Sequence, residues 1–226
     1  MLLSHVRKAA SLVCLDPAAT ARHKPDMSKI QNVCVYCGSS NGTDPIFAEA
    51  ARSLAVELVK ADMGLVYGGG SHGLMGILAQ AVFDAGGHVT GIIPDFLDIR
   101  ERRFKDAQEL IVVPDMHTRK RMMFEKADAF VALPGGIGTL EELVEQLTWV
   151  QLDRHNKPVV LADVGGFWRP LLNLFAHMRN TGFIRQELEV RYQVAEKISD
   201  VVPILRAASE VAERSGMQSA DLASRL

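Results

Sequence analysis

Leu65-Val66-Tyr67-Gly68-Gly69-Gly70-Ser71-His72-Gly73-Leu74-Met75-Gly76 holds a whole structural unit in miniature. Leu65–Tyr67 is apolar without polar alternation, the pattern of a strand covered on both faces rather than one half-bathed in water. Six loop residues rich in glycine follow. From about Leu74 to Ala85 the spacing turns helical, and it stops at Gly86-Gly87, where glycine takes the left-handed C-cap conformation without steric cost. Strand, glycine loop and helix in that order make one half of a βαβ crossover.

The same alternation recurs outward in both directions. Short apolar runs stand at Val33–Tyr36, Val89–Ile93, Leu110–Val113, Ala129–Leu133 and Val159–Ala162, with a last short strand expected near Gln193–Ile198. Between them, Pro45 suits a helix N1 position, and Phe47, Ala50, Ala51, Leu54, Ala55 and Leu58 recur at helical spacing. Further helices are expected near 117–127, 139–152, 168–180 and 199–213. The fold class is therefore α/β: a single domain with a central parallel sheet and helices on both faces. Its limits are set at 31–214. Residues 1–30 lack periodicity and are read as a flexible N-terminal extension, with Met27 an alternative start; the small, polar end, 215–226, is read as a flexible C-terminal tail.

Composition narrows the function classes. A chain of 226 residues with formal charge -2 has no global basic field to hold nucleic acid through its phosphates. No apolar stretch approaches the roughly 20 residues of a membrane-spanning helix. Neither nucleic acid nor membrane is expected as a partner. The 3 cysteines, Cys14, Cys34 and Cys37, are too few and too clustered for a disulfide framework, which fits a cytoplasmic protein. Cys34-x-x-Cys37 has no second pair and no nearby histidine cluster, so a zinc site lacks ligands; the better reading is two small buried side chains, one in a strand and one starting a loop.

Three glycine-rich segments each follow an expected strand: Gly38-Ser39-Ser40-Asn41-Gly42, Gly68–Gly73, and Pro134-Gly135-Gly136-Ile137-Gly138-Thr139. In an open parallel sheet, ligands bind beyond the carboxyl ends of the strands, and all three loops leave from that edge. Glycine lets backbone N–H groups approach an anion closely, and each loop feeds a helix whose N-terminus carries about half a positive charge. Phosphate is the natural guest. No Gly-Lys-Ser/Thr ends any loop, which sets triphosphate hydrolysis aside, and Gly68-x-Gly70-x-x-Gly73 formally fits a dinucleotide fingerprint without the rest of its context.

Two charged groups open helices at the same edge. Asp115-Met116-His117-Thr118-Arg119-Lys120-Arg121 starts one, and Glu142 stands in the first turn of the next. Arg119 offers a planar fork suited to phosphate or ribose hydroxyls, and Lys120 a compact charge beside it. Thr139-Leu140-Glu141-Glu142 reads as a capping box, in which Glu142 would reach back to the Thr139 N–H. A carboxylate beside an anion site has a chemical use as well. Breaking a ribosyl bond develops positive charge on the sugar, which a carboxylate stabilises and a phosphate does not reach. Arg119 and Lys120 would hold that carboxylate ionised. No metal and no cofactor is required.

Gly68-Gly69-Gly70 with Gly73-Leu74-Met75-Gly76, Met116–Lys120 and Pro134–Glu142 together resemble the Lonely Guy family of cytokinin riboside 5'-monophosphate phosphoribohydrolases, long mislabelled as lysine decarboxylases. The resemblance spans roughly Asn32 to Leu205. It implies a Rossmann-like fold, a homodimer with the site near the subunit interface, and purine ribonucleoside 5'-monophosphates as substrates. It implies Arg119 and Glu142 as the catalytic pair, and substrate contacts from Lys120, Gly136, Ile137, Gly138, Thr139, Leu140 and Glu141, with Glu101 and Thr148 at further binding positions. Gly38, Ser39, Gly69, Gly70 and Gly135 complete the expected binding set from the loops. Ile137 stands where the family frequently carries tyrosine.

Two competing functions are open to the residues. A non-catalytic nucleotide carrier or sensor would use the same loops but has no need of the Arg119 and Glu142 pairing. An amino-acid decarboxylase needs a Schiff-base lysine and a partner for the pyridine nitrogen of pyridoxal phosphate; Lys120 sits in a cationic cluster with no such partner.

Overall fold

The computed structural model describes residues 30–97, 104, 106–185 and 189–224. Its centre is one sheet of seven strands: β1 (Asn32–Tyr36), β2 (Gly64–Tyr67), β3 (Val89–Pro94), β4 (Glu109–Val113), β5 (Ala129–Ala132), β6 (Val159–Ala162) and β7 (Gln193–Ala195). All adjacent pairs run parallel in the order β4-β3-β2-β1-β5-β6-β7. The chain leaves β1 toward one edge and returns to β5 on its other side, so β1 and β5 flank the point where winding reverses. The crevice above such a point is where an open α/β sheet binds ligands.

Among the described residues, the α-helices that accompany the sheet include α1 (Pro45–Lys60), α2 (Gly73–Asp84), α3 (Met116–Lys126), α4 (Ile137–Gln151), α5 (Arg169–Asn180) and α6 (Val201–Ser224). Local chemistry sets where α1 and α3 begin. Asp44 caps α1 by accepting from Ile46 N at 3.0 Å, with Pro45 at the first helical position. Asp115 caps α3, accepting from Thr118 N at 2.7 Å and from the Thr118 hydroxyl at 3.0 Å.

Strand alternation divides the core into two layers. Val33, Val35, Leu65 and Tyr67 face α1, α2 and the start of α6, where Leu54, Leu58, Leu78 and Leu205 are fully buried. Cys34, Tyr36, Val66 and Phe130 face α3, α4 and α5 through Met123, Leu143, Leu147, Trp168 and Phe175. Each fully buried aliphatic side chain contributes about 1.5–3 kcal/mol relative to exposure. Ile30 belongs to the first layer at 5% exposure, so the core begins one residue before the limit read from the pattern.

The last helix runs to Ser224, past the expected 213, and the last strand closes at Ala195, three residues short of the expectation, before a 3₁₀ turn at Ile198–Asp200. Among the described residues no helix is long and apolar enough to cross a membrane. Cys34 and Cys37 are free and buried, as expected of packing residues. They join opposite core layers, and burial above all, then the Glu142 charge, pushes both thiols far up, away from the reactive thiolate.

Candidate active site

Sheet order brings the three glycine loops together. The loop after β1 donates Gly38 N–H to Pro134 O at 3.1 Å, joining it to the loop after β5, and Gly38 O accepts from Leu74 N at 3.0 Å, joining it to the loop after β2. Gly69 and Gly70 are buried beneath this junction, whereas Ser39, Gly136, Ile137 and Gly138 stay exposed.

Arg119 lies one turn into α3, 7% exposed, and Glu142 lies on α4, 8% exposed. Arg119 Nη1 stands 3.3 Å from Glu142 Oε1. The guanidinium is fixed from two further sides: Nε donates to Ile92 O at 3.1 Å and Nη2 reaches Gly68 O at 3.5 Å, with Met116 Sδ 3.7 Å from Nη1. A β-carbon on Gly68 would overlap Arg119 Nη2, so any larger residue there must displace the guanidinium. Ile92 O and Met116 were not foreseen as supports; a backbone carbonyl leaves no trace in residue type.

Two local expectations are corrected. Helix α4 starts at Ile137 with Gly136 as its N-cap, so Thr139 is inside the first turn and the capping box does not form. Thr139 instead packs its side chain over Gly135, filling the space a β-carbon there would need. Freed from capping, Glu142 meets Arg119. The second correction concerns Lys120, whose ammonium pairs with Glu141 and, at 3.0 Å, with Glu145 rather than with Glu142. Burial works against that charge, but the two carboxylates outweigh it and hold the ammonium above the ordinary lysine range. The partner Glu145 was missed, because pairing between two helices has no local signature.

The first helical bond of α4 runs from Leu140 N to Gly136 O at 3.0 Å. The amides of Ile137, Gly138 and Thr139 precede it and are the orphan donors of a 15-residue helix. Unpaired amides at a helix N-terminus are suited to an anion, and Glu142 stands in the second turn of the same helix. Thr148 is three turns along α4 on its exposed side, its hydroxyl donating to Val144 O at 2.8 Å, apart from the pair. Leu140 is half-buried and Glu141 exposed. Glu101 lies outside the described residues. Among those residues no cluster of histidine, cysteine or acidic side chains has the makings of a metal site.

Known proteins share both sequence and fold. A family model described as possible lysine decarboxylase matches residues 75–205. The chain is 46% identical to the cytokinin riboside 5'-monophosphate phosphoribohydrolase LOG5 of Arabidopsis thaliana over 180 residues, 80% of this chain and 79% of that protein. It is 42% identical to the probable cytokinin riboside 5'-monophosphate phosphoribohydrolase LOGL1 of Oryza sativa subsp. japonica over 209 residues, 91% of this chain and 94% of that one. Among solved structures, the molybdenum cofactor binding protein from Rippkaea orientalis superposes with a TM-score of 0.60 at 20% identity, covering 79% of this chain and 97% of that chain. At that identity the likeness is one of fold.

Proposed function

Because this chain belongs to the family of the cytokinin riboside 5'-monophosphate phosphoribohydrolases, we propose that it hydrolyses the N-glycosidic bond of a purine ribonucleoside 5'-monophosphate. Substrates are AMP and cytokinin-type nucleotides, and products are free base and ribose 5-phosphate. The carrying observation is the buried Arg119 and Glu142 pair, 3.3 Å apart beside the N-terminus of α4.

In this reading the amides of Ile137, Gly138 and Thr139 take the 5'-phosphate. As the bond from the anomeric carbon to the base nitrogen breaks, positive charge grows on the ribose and Glu142 stabilises it. Water then adds to the anomeric carbon as hydroxyl, and its proton passes by way of Glu142 to the nitrogen of the departing base, which returns Glu142 to its ionised form. Arg119 keeps Glu142 ionised and aimed, anchored in turn by Ile92 O and Gly68 O. Lys120, Glu141 and Glu145 form a charged wall beside the cradle. Gly38, Ser39, Gly69, Gly70, Gly135, Gly136, Leu140, Thr148 and Glu101 complete the proposed substrate contacts.

A pyridoxal phosphate decarboxylase does not fit this donor set. A Schiff-base lysine must become neutral to attack a carbonyl, and Lys120 is held charged between two carboxylates. A carrier has no use for a buried arginine and carboxylate pair at the cradle.

On α4 the apolar side chains of Ile137, Val144 and Leu152 are exposed at 81%, 39% and 61%. That apolar stripe on α4, with Thr148 among it, supports a homodimer whose contact borders the site. Free buried cysteines support a cytoplasmic setting.

Incubation with AMP, N6-isopentenyladenine nucleotides and the matching nucleosides tests the reading. Base release from monophosphates but not nucleosides is expected, lost in Glu142→Ala and Arg119→Ala. Turnover retained in both variants overturns it.

A further inference from the structure

Gln146 is 0% exposed, and among the described residues neither its side-chain nitrogen nor its side-chain oxygen has a hydrogen-bond partner. A buried amide with both ends unmet opposes folding, and native folds hold few such groups without a use for them. The position indicates the use. Gln146 is four residues after Glu142 on α4, so the two side chains are neighbours on one helix face, and both are buried. That face turns to the core layer of Cys34 and Tyr36.

Tyr36, 2% exposed and stacked on Phe130 with ring centroids 5.9 Å apart, lies under the same stretch of helix. Burial first, then the neighbouring Cys34 and the carboxylates of Glu142 and Glu145, drives its phenol well above its ordinary value, so the ring feels two carboxylates from the turn of α4 that leads to Gln146. Among the groups near Glu142 are Arg119 on one side, Lys120 with Glu141 and Glu145 along the helix, and Tyr36, Cys34 and Cys37 from β1 and its loop. Arg119 supports the carboxylate from α3. From within α4, Gln146 is the neighbouring side chain with a donor to spare.

We propose that Gln146 is a positioning residue of the hydrolytic site, its buried amide donating to the Glu142 carboxylate in the reacting geometry, one helical turn away and on the same face. The inference rests on the hydrolase reading above. Hydrogen bonds to a reacting carboxylate tighten in the substrate complex rather than in the free protein. The amide is held ready at the expense of stability, as functional sites often are.

The test uses the full chain with Gln146→Met, Gln146→Leu and Gln146→Glu. For Gln146→Met the melting temperature holds or rises, because an unmet amide has gone. Its kcat for AMP falls between about tenfold and a hundredfold, the loss that misplacing a reacting group brings, while KM stays within about threefold. The acid limb of its pH profile for kcat moves upward, since the carboxylate has lost a donor. Gln146→Glu, isosteric and protonated at low pH, recovers kcat there and loses it as the new acid ionises. An unchanged kcat and pH profile in Gln146→Met overturns the proposal and leaves the hydrolase reading standing. Failure of both apolar variants to fold overturns it too, because the amide would then be structural. If the wild type releases no base, the hydrolase reading falls. Gln146 is then judged by carbon NMR titration of the Glu142 carboxyl, which moves in Gln146→Met if the amide supports it and stays if it does not.

Discussion

Breaking the Arg119 and Glu142 pair from each side in turn has unequal consequences, and the inequality follows from what each partner keeps. In Glu142→Gln, Arg119 retains Ile92 O and Gly68 O as acceptors, so the loss is that of one charged hydrogen bond, about 1.5–3 kcal/mol. In Arg119→Met the carboxylate stays 8% exposed without its cation, and removing one partner of a buried pair costs about 3–5 kcal/mol. For a chain of this size about 2–4 °C of melting temperature goes with each kcal/mol, giving drops of about 3–12 °C and 6–20 °C respectively. The double variant buries no charge and should melt above Arg119→Met alone, a coupling of at least about 1 kcal/mol. Base release from AMP should fall at least a hundredfold in all three, since each removes charge stabilisation aimed at the reacting sugar. Differential scanning calorimetry of the four proteins gives the cycle, and a coupled assay gives kcat. Additive melting shifts, or a double variant less stable than Arg119→Met, would refute the idea that the two side chains act as one unit.

The other expectations concern the walls and the acid stability of the site. Lys120→Met leaves Glu141 and Glu145 without their shared cation beside the phosphate cradle, so KM for the monophosphate should rise by about tenfold or more with a smaller change in kcat, read from initial rates at low salt. Gly68→Ala places a methyl where Arg119 Nη2 lies; kcat/KM should fall about a hundredfold while circular dichroism stays that of a folded α/β protein. His155 packs against Phe124 and Phe130, and burial first, then Lys157, pushes its ring down to about 4 from 6.5. A depressed histidine favours the fold while neutral, so its contribution is whole above about pH 6.5 and is lost as pH falls toward 4. With the ring partly open to solvent the contribution is about 1–2 kcal/mol after allowance for screening. His155→Phe should therefore melt with less change between pH 7 and 5 than the wild type.

Strand and helix order was legible because the two periodicities differ and each glycine loop punctuates a switch from one to the other. The same punctuation placed Arg119 and Glu142 at one sheet edge. The capping box was misread for a local reason: Gly136 had equal claim to the N-cap, and the loop after β5 turns tightly enough for α4 to start two residues early. Lys120 was assigned to the wrong glutamate because Glu141, Glu142 and Glu145 all lie on the first turns of α4, and only the rotation of that helix against α3 decides which of them faces which cation.

By itself the sequence determined the local features on offer: parallel strands without polar alternation, three glycine-rich loops at one sheet edge, an arginine and a glutamate each opening a helix. Those features are local, written in spacings of two to four residues, so hydrophobic periodicity and turn chemistry suffice to read them. The tertiary structure decided who meets whom. Placing β1 between β2 and β5 joins loops about thirty and a hundred residues apart in the chain, and packing α3 and α4 on one sheet face closes the gap between Arg119 and Glu142 to 3.3 Å. Such contacts depend on the energy of the whole packed core, which no short stretch of chain encodes.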